Sequence, residues 1–289
     1  MKTIITTDSS CDLSKEQLAE YNIKTIPIYV IMNGEEYKDG INITPNQIFE
    51  YVKLNKKLPK TAALSVEDYE DFFKSVLDEN PDANIVHIGL SSGLSSSYEH
   101  SVSASQTFGG KVFVVDGKSL STGTGLLVLY AAKLAKSGIP TEEIVVKTQN
   151  RVNFVQASFI IQEVDYLYKG GRCSALALIG ANLLKIKPKI QVINGKMQST
   201  GRPRGKMIQV LKDYVDGTLK EYSNPDKTIC FVTHSSIEPE IADEIADYVR
   251  SKNIFDEVVI TVASATITSH CGKGTLGILY INDGGKDAE

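Results

Sequence analysis

The sequence predicts a two-domain α/β protein. An N-terminal three-layer α/β/α domain is built on a parallel sheet, and a C-terminal α+β domain on a mixed sheet. Three observations lead there. The chain has 289 residues, roughly two domains of about 150 residues each. Its first half alternates short β-rich runs with stretches that begin at helix caps, the order of a parallel sheet covered on both faces. After about Asn153 the texture changes, with a hairpin signal and a mixture of strands and helices. The expected domains are residues 1–155 and 156–289.

The elements follow in order. Residues 3–7 are a β-rich run closed by Asp8-Ser9-Ser10. Ser14-Lys15-Glu16-Gln17 is a capping box that opens a helix. Residues 24–31 read as one strand ending in an Asn33-Gly34 turn. Thr44-Pro45-Asn46-Gln47 starts a helix with proline at its first position, and Ser65-Val66-Glu67-Asp68 starts the next. Pro81 separates that helix from a strand at 85–88. A serine-rich turn then leads to a helix ending near Phe108, a strand over 111–116, and an Ala/Leu-rich helix over 120–137 closed by Gly138. In the second half, residues 188–193 and 196–200 flank Asn194-Gly195 as a hairpin. A helix near 205–222, a strand over 228–233 and a helix over 238–249 come next. Strands at 257–263 and 276–281 finish the chain. Thr233-His234-Ser235-Ser236 echoes Thr7-Asp8-Ser9-Ser10, each following an apolar strand, and both read as common strand-end chemistry.

Composition narrows the class. At 42% apolar and 23% charged residues, the chain matches an ordinary globular protein. No apolar run approaches the ~18 residues that span a bilayer. The N-terminus reaches Asp8 before any signal-peptide stretch forms. Four cysteines without a CxxC pair argue against a disulfide framework or a zinc site, so a reducing, cytoplasmic setting with no metal is expected. Ten basic and no acidic residues lie between Tyr166 and Lys212. Against a whole-chain charge of −4, this leaves −14 for the remainder. A basic face for an anionic partner or headgroup is expected there, with Arg202, Arg204 and Lys206 as its centre. Nucleic acid is disfavoured by the pI of about 5.7.

Several motifs carry candidate chemistry. Gly89-Leu90-Ser91-Ser92-Gly93 fits G-x-S-x-G between a strand and a helix, the setting of a nucleophile elbow. With Asp116 and His234 or His270 downstream, a serine hydrolase is the alternative function. A hydrolase needs one serine, however, whereas Ser91, Ser92, Ser95, Ser96 and Ser97 crowd this loop. Hydroxyls beside a helix start make a neutral cradle for an anion. Gly272-Lys273-Gly274-Thr275-Leu276-Gly277 fits GxGxxG but precedes a strand, so it is no dinucleotide fingerprint. His270, just before it, is either a loop residue capping a helix or a donor to an anion at the domain junction. Arg172 follows Gly170-Gly171 at the start of an apolar stretch over 174–184, where it reaches a carboxylate, a phosphate or backbone carbonyls. His87 reads as a core histidine and His100 as a helix-surface residue.

Taken together, these residues resemble the DegV family. The likeness rests on Thr7-Asp8-Ser9-Ser10, Pro59-Lys60-Thr61 and Ser91-Ser92-Gly93-Leu94-Ser95-Ser96-Ser97-Tyr98. Lys169-Gly170-Gly171-Arg172, Leu183-Leu184-Lys185-Ile186-Lys187-Pro188 and Ser269-His270-Cys271-Gly272-Lys273-Gly274-Thr275-Leu276-Gly277 extend it along the chain. These are bacterial fatty-acid-binding proteins that include the FakB subunits of fatty acid kinase. The resemblance implies a non-catalytic carrier, with no cofactor, that holds one long-chain fatty acid such as palmitate or oleate in a tunnel between its domains. It also implies a kinase partner that converts the presented carboxylate to an acyl phosphate; transient contact with an anionic membrane surface is what the basic stretch over 166–212 adds. By the same resemblance the carboxylate would bond Thr61, Ser92, Ser95 and His270, with Ser91 and Arg172 near the headgroup. Two departures stand out: Thr61-Ala62-Ala63-Leu64-Ser65 where the family has Thr-Ser-Gln-Pro-Ser, and Ser95-Ser96-Ser97-Tyr98 where it has Ser-Gly-Thr-Tyr. Physics asks for the same kind of site. About 14 methylenes at ~0.8 kcal/mol each require an enclosed apolar wall, and a buried carboxylate requires hydrogen-bond donors.

Overall fold

A computed structural model describes residues 2–173 and 186–285. The apolar stretch over 174–184, and the Leu183-Leu184-Lys185 part of the motif that runs on to Pro188, lie outside the described residues. Along the chain, β1 (Lys2–Asp8), α1 (Lys15–Glu20), β2 (Lys24–Ile26), β3 (Tyr29–Met32), β4 (Glu35–Lys38), α2 (Pro45–Asn55) and β5 (Lys60–Ala62) come first. Next are α3 (Val66–Glu79), β6 (Ala83–Gly89), α4 (Ser97–Ser105), β7 (Val112–Asp116), α5 (Thr122–Lys136) and α6 (Thr141–Val152). The second half holds β8 (Val155–Ile160), α7 (Val164–Lys169), β9 (Lys189–Ile193), β10 (Lys196–Gly201), α8 (Met207–Glu221) and β11 (Cys230–Ser235). It ends with α9 (Pro239–Arg250), β12 (Val258–Val262), α10 (Ala265–Cys271) and β13 (Thr275–Ile281).

The expected pair of sheets is present. Strands β2-β1-β6-β7 form a parallel sheet, with α3 and α4 on one face and α5 and α6 on the other. Strands β10-β9-β8-β13-β11-β12 form a mixed sheet in which only β11 and β12 pair in parallel. Both Asn-Gly turns form as read: Asn33 and Gly34 have φ of 53° and 88°, and Asn194 and Gly195 have 51° and 78°. Positive φ at both positions is the geometry that suits a two-residue hairpin.

One strand expectation is corrected. The run over 24–31 is two strands, β2 in the parallel sheet and β3 in a separate antiparallel sheet of order β4-β3-β5. Pro27 lies at the break and has no amide hydrogen for a ladder, and Ile28 N beyond it donates to Ser9 Oγ at 3.1 Å. This small sheet carries Thr61 on β5, paired with Val30. Helix α5 lies between the two large sheets and is buried continuously from Thr122 to Ala132. Glycine is needed for that closeness, since a Cβ on Gly125 would stand 2.7 Å from Cys11 O.

Beside α5, Arg151 forms a buried ionic cluster. Its guanidinium donates to Asp226 at 2.6 Å and to both oxygens of Asp283 at 2.6 and 2.8 Å. Its carbon stands 4.5 Å from the ring centre of Tyr130. Despite burial, the bond from Arg151 keeps the Asp226 carboxyl below its usual range.

Candidate functional site

A cavity of about 250 Å³ opens where the parallel sheet, the mixed sheet and the small sheet meet. Its wall is mostly apolar, with Ile28 and Leu90 from the first half and Phe159, Met197 and Leu279 from the second. Thr61, Ser95, Arg172 and His270 also reach it. Four of the residues expected at a headgroup site therefore share one cavity, although Arg172 comes from the start of the second half and His270 from near the end of the chain.

Helix α10 presents His270, and the first half of the chain holds α10 in place. Asp39 accepts from the amides of Ala265 and Thr266 at 3.0 and 3.1 Å, and Asp12 accepts from Ser264 N at 2.9 Å. These carboxylates satisfy amide donors that the first turn of a helix leaves bare. Asp12 also receives the Ser121 hydroxyl, and burial pushes its carboxyl up to about 7. One turn further on, His270 Nε2 meets Thr61 Oγ1 at 2.8 Å. Burial first, and then the Arg172 charge, push the imidazole down to about 4. The ring is neutral at neutral pH. With its proton on Nε2 it donates to Thr61, whose own hydroxyl hydrogen is then free for a carboxylate in the cavity.

The Gly170-Gly171 pair has a specific use. A Cβ on Gly170 would lie 2.7 Å from His270 Nδ1, so only glycine lets the turn after α7 close on the ring. Gly171 takes a φ of 71°, and Arg172 Nη1 donates to Gly170 O at 2.6 Å. Arg172 thus fastens its own turn and also faces the cavity.

The serine loop is divided in its roles. Asp8, at the end of β1, accepts from Leu90 N at 2.7 Å and from Tyr69 Oη at 2.7 Å, which anchors the loop to the sheet. His87 is fully buried beside it, as read, and bonds Thr6 Oγ1 at 3.0 Å. Ser91 is buried and donates to Gly195 O at 2.7 Å, so the β9–β10 turn seats on the loop. Ser92 donates to Asp116 at 2.6 Å and does not line the cavity. Ser95 does line it, with its hydroxyl 3.0 Å from that of Ser97. The structure therefore brings Thr61, Ser95, Arg172 and His270 together and sets Ser91 and Ser92 behind them.

This arrangement does not support the hydrolase alternative. Ser91 has a carbonyl partner, and Asp116 serves Ser92. Among the described residues, no hydrogen bond joins Ser91 to His234 or His270. His100, expected on a helix surface, is part-buried on α4 and bonds Leu64 O. Arg202, Arg204 and Lys206 are exposed in the connection from β10 to α8. Among the described residues, no group of histidine, cysteine and carboxylate side chains could hold a metal ion, and no helix is long and apolar enough to cross a membrane.

Sequence reasoning missed a second polar stretch of the wall. Ser121, Thr233, His234, Ser235 and Thr266 all line the cavity. The echo at Thr233-His234-Ser235-Ser236 was the available signal, and strand-end chemistry was too common a reading for it.

Comparison with known proteins agrees with this geometry. Residues 2–283 match the model of the DegV family. The chain is 30% identical over 288 residues to a DegV domain-containing protein of Staphylococcus aureus (strain COL), covering 97% of this chain and 99% of that one. Among solved structures, a DegV family protein from Thermus thermophilus, described by its fatty acid binding, superposes with a TM-score of 0.90 at 25% identity. The match covers 98% of this chain and 100% of that one. A Thermotoga maritima protein described as revealing a fatty acid binding function has a TM-score of 0.83 at 26% identity, over 97% and 99% of the two chains.

Proposed function

The chain belongs to the DegV family, and from that premise we propose that it is a non-catalytic carrier of one long-chain fatty acid. The observation that carries this reading is the mostly apolar cavity whose wall also holds Thr61, Ser95, Arg172 and the neutral His270. The acyl chain lies against Leu90, Phe159 and Met197, and the carboxylate takes hydroxyl and imidazole donors. Neutral donors and the nearby Arg172 charge offset the cost of desolvating that carboxylate without a permanent buried ion pair. A headgroup held in this way can be handed on.

The recipient in this reading is a fatty acid kinase, which phosphorylates the presented carboxylate in the cytoplasm. The exposed Arg202, Arg204 and Lys206 form the face that docks the kinase or an anionic membrane. The two units are residues 1–155 and 156–289, with the ligand between them. Charge reversal at Arg202 and Arg204 is expected to impair transfer and spare lipid content.

Native mass spectrometry of the purified protein, followed by solvent extraction, tests the central claim. One long-chain acid per chain is the expected result. A protein that is empty and also refuses added palmitate and oleate would falsify it.

A further inference from the structure

The cavity has polar groups that a plain alkyl chain cannot satisfy. Beyond the serine loop, Thr61, Arg172 and His270, six polar residues line the wall: Ser121, Thr233, His234, Ser235, Thr266 and Thr275. Four of them have protein partners. Ser121 donates to Asp12, Thr233 shares hydrogens with Thr122 and Thr261 at 2.6 and 2.8 Å, Ser235 pairs with Thr268 at 3.1 Å, and Thr275 donates to Cys271 O at 2.8 Å. Two are different. Among the described residues, the Thr266 hydroxyl, on a residue that is 4% exposed, has no partner, and the buried Nδ1 of His234 has none either. The two sit on adjoining elements, because Ala263 N, just before α10, donates to His234 O at 2.8 Å.

Buried polar atoms without a partner are rare, and each carries a desolvation cost. An alkyl chain packed against this wall leaves both atoms unpaired, whereas a ligand oxygen that the two side chains turn to meet gives them a partner. A threonine hydroxyl both donates and accepts, and a neutral imidazole offers one nitrogen of each kind. A hydroxyl group on the ligand complements both.

We propose that Thr266 and His234 form a second polar subsite in this cavity, which selects long-chain fatty acids carrying a hydroxyl on the chain over their unsubstituted counterparts. The inference rests on the fatty-acid reading and adds the class of acid. The carboxylate stays at Thr61 and His270. Thr266, one helical turn before His270 on α10, meets the chain beyond it.

The test is calorimetric titration of delipidated protein with stearate and with hydroxystearates that carry the hydroxyl at different carbons. At least one hydroxystearate is expected to bind about tenfold tighter than stearate, the worth of one well-made hydrogen bond. Thr266→Val, which keeps the side-chain shape, and His234→Phe are each expected to bring that ratio close to one, with melting curves confirming that both variants fold. Stearate binding with no preference for any hydroxystearate would overturn the subsite and leave the carrier reading intact, as would a preference that survives both substitutions. Failure of every acid to bind would instead overturn the carrier reading, and the subsite with it.

Discussion

Two buried polar regions of this molecule are built to opposite rules. Around Arg151, each charged group has a partner, with two carboxylates bonded to the guanidinium and the Tyr130 ring stacked over it. Along the cavity wall, the polar atoms are only partly matched. Thr61 and His270 have each other, while His270 Nδ1, His234 Nδ1 and the Thr266 hydroxyl have no hydrogen-bond partner among the described residues. A saturated cluster has no capacity left for a ligand and serves to join segments, here the end of α6 to the chain near Asp226 and Asp283. An unsaturated one costs stability unless something binds. Binding capacity therefore lies in the incompletely paired region, even though the Arg151 region carries more charge.

The largest effect that could break this contrast is at the saturated cluster. Arg151→Ala strands two buried carboxylates and is expected to cost roughly 3–5 kcal/mol of folding stability. Thermal melting should show it, while the fraction that remains folded should bind acyl chains as before. A mild effect would show that the cluster is not needed.

Thr61→Val makes the opposite prediction. It removes the hydroxyl that, on the carrier reading, donates to the carboxylate and keeps the volume, so acyl affinity is expected to fall about tenfold while stability changes by no more than about 1 kcal/mol. A large stability loss with unchanged affinity would move Thr61 to the structural side of the comparison.

The smallest effect is in pH. In the folded chain His270 is pushed down to about 4 from 6.5, so between those values the unfolded chain takes a proton that the folded chain refuses, and stability falls on acidification. His234 is shifted the same way by burial. Asp12 is pushed up to about 7 from 3.8, so it protonates first in the folded chain and stability rises on acidification. The contributions oppose each other between pH 4 and 6.5. Relative to the parent protein, Asp12→Asn is expected to steepen the acid-side loss of melting temperature and His270→Gln to lessen it. Identical pH profiles for all three would contradict both shifts.

The elements with local signals were legible in the sequence. The capping box at Ser14, the helix start at Ser65, the proline at the start of α2 and both Asn-Gly turns sit where they were read. Helix α6 went unread although Pro140-Thr141-Glu142-Glu143 is a fair helix start. The split at Pro27 went unread because the apolar run crosses it without a change of composition. The site was legible only in part, because its geometry is made by distant pairings. No local rule brings Thr61 to His270, and the family likeness supplied that pair. Nor does any rule tell Ser92, which serves Asp116, from Ser95, which faces the cavity. Helix α10 is short: Ser264 caps it locally by accepting from Ile267 N, but the amides of Ala265 and Thr266 depend on the distant Asp39.

That dependence shapes how the protein is made. The contacts that fix α10 close over long separations: 209 residues from Thr61 to His270, 226 from Asp39 to Ala265 and 252 from Asp12 to Ser264. Contacts of such span are slow to form, since loop-closure entropy is lost before they are made. Synthesis runs from the N-terminus at about 5–20 residues per second, so the parallel sheet can assemble while α10 is still untranslated. Until α10 arrives, Asp12, Asp39 and Thr61 lack the partners that α10 and its cap supply, and that part of the cavity wall is missing. On the carrier reading, a lipid can therefore load only after α10 has been translated, and a chain cut short before residue 270 would carry nothing.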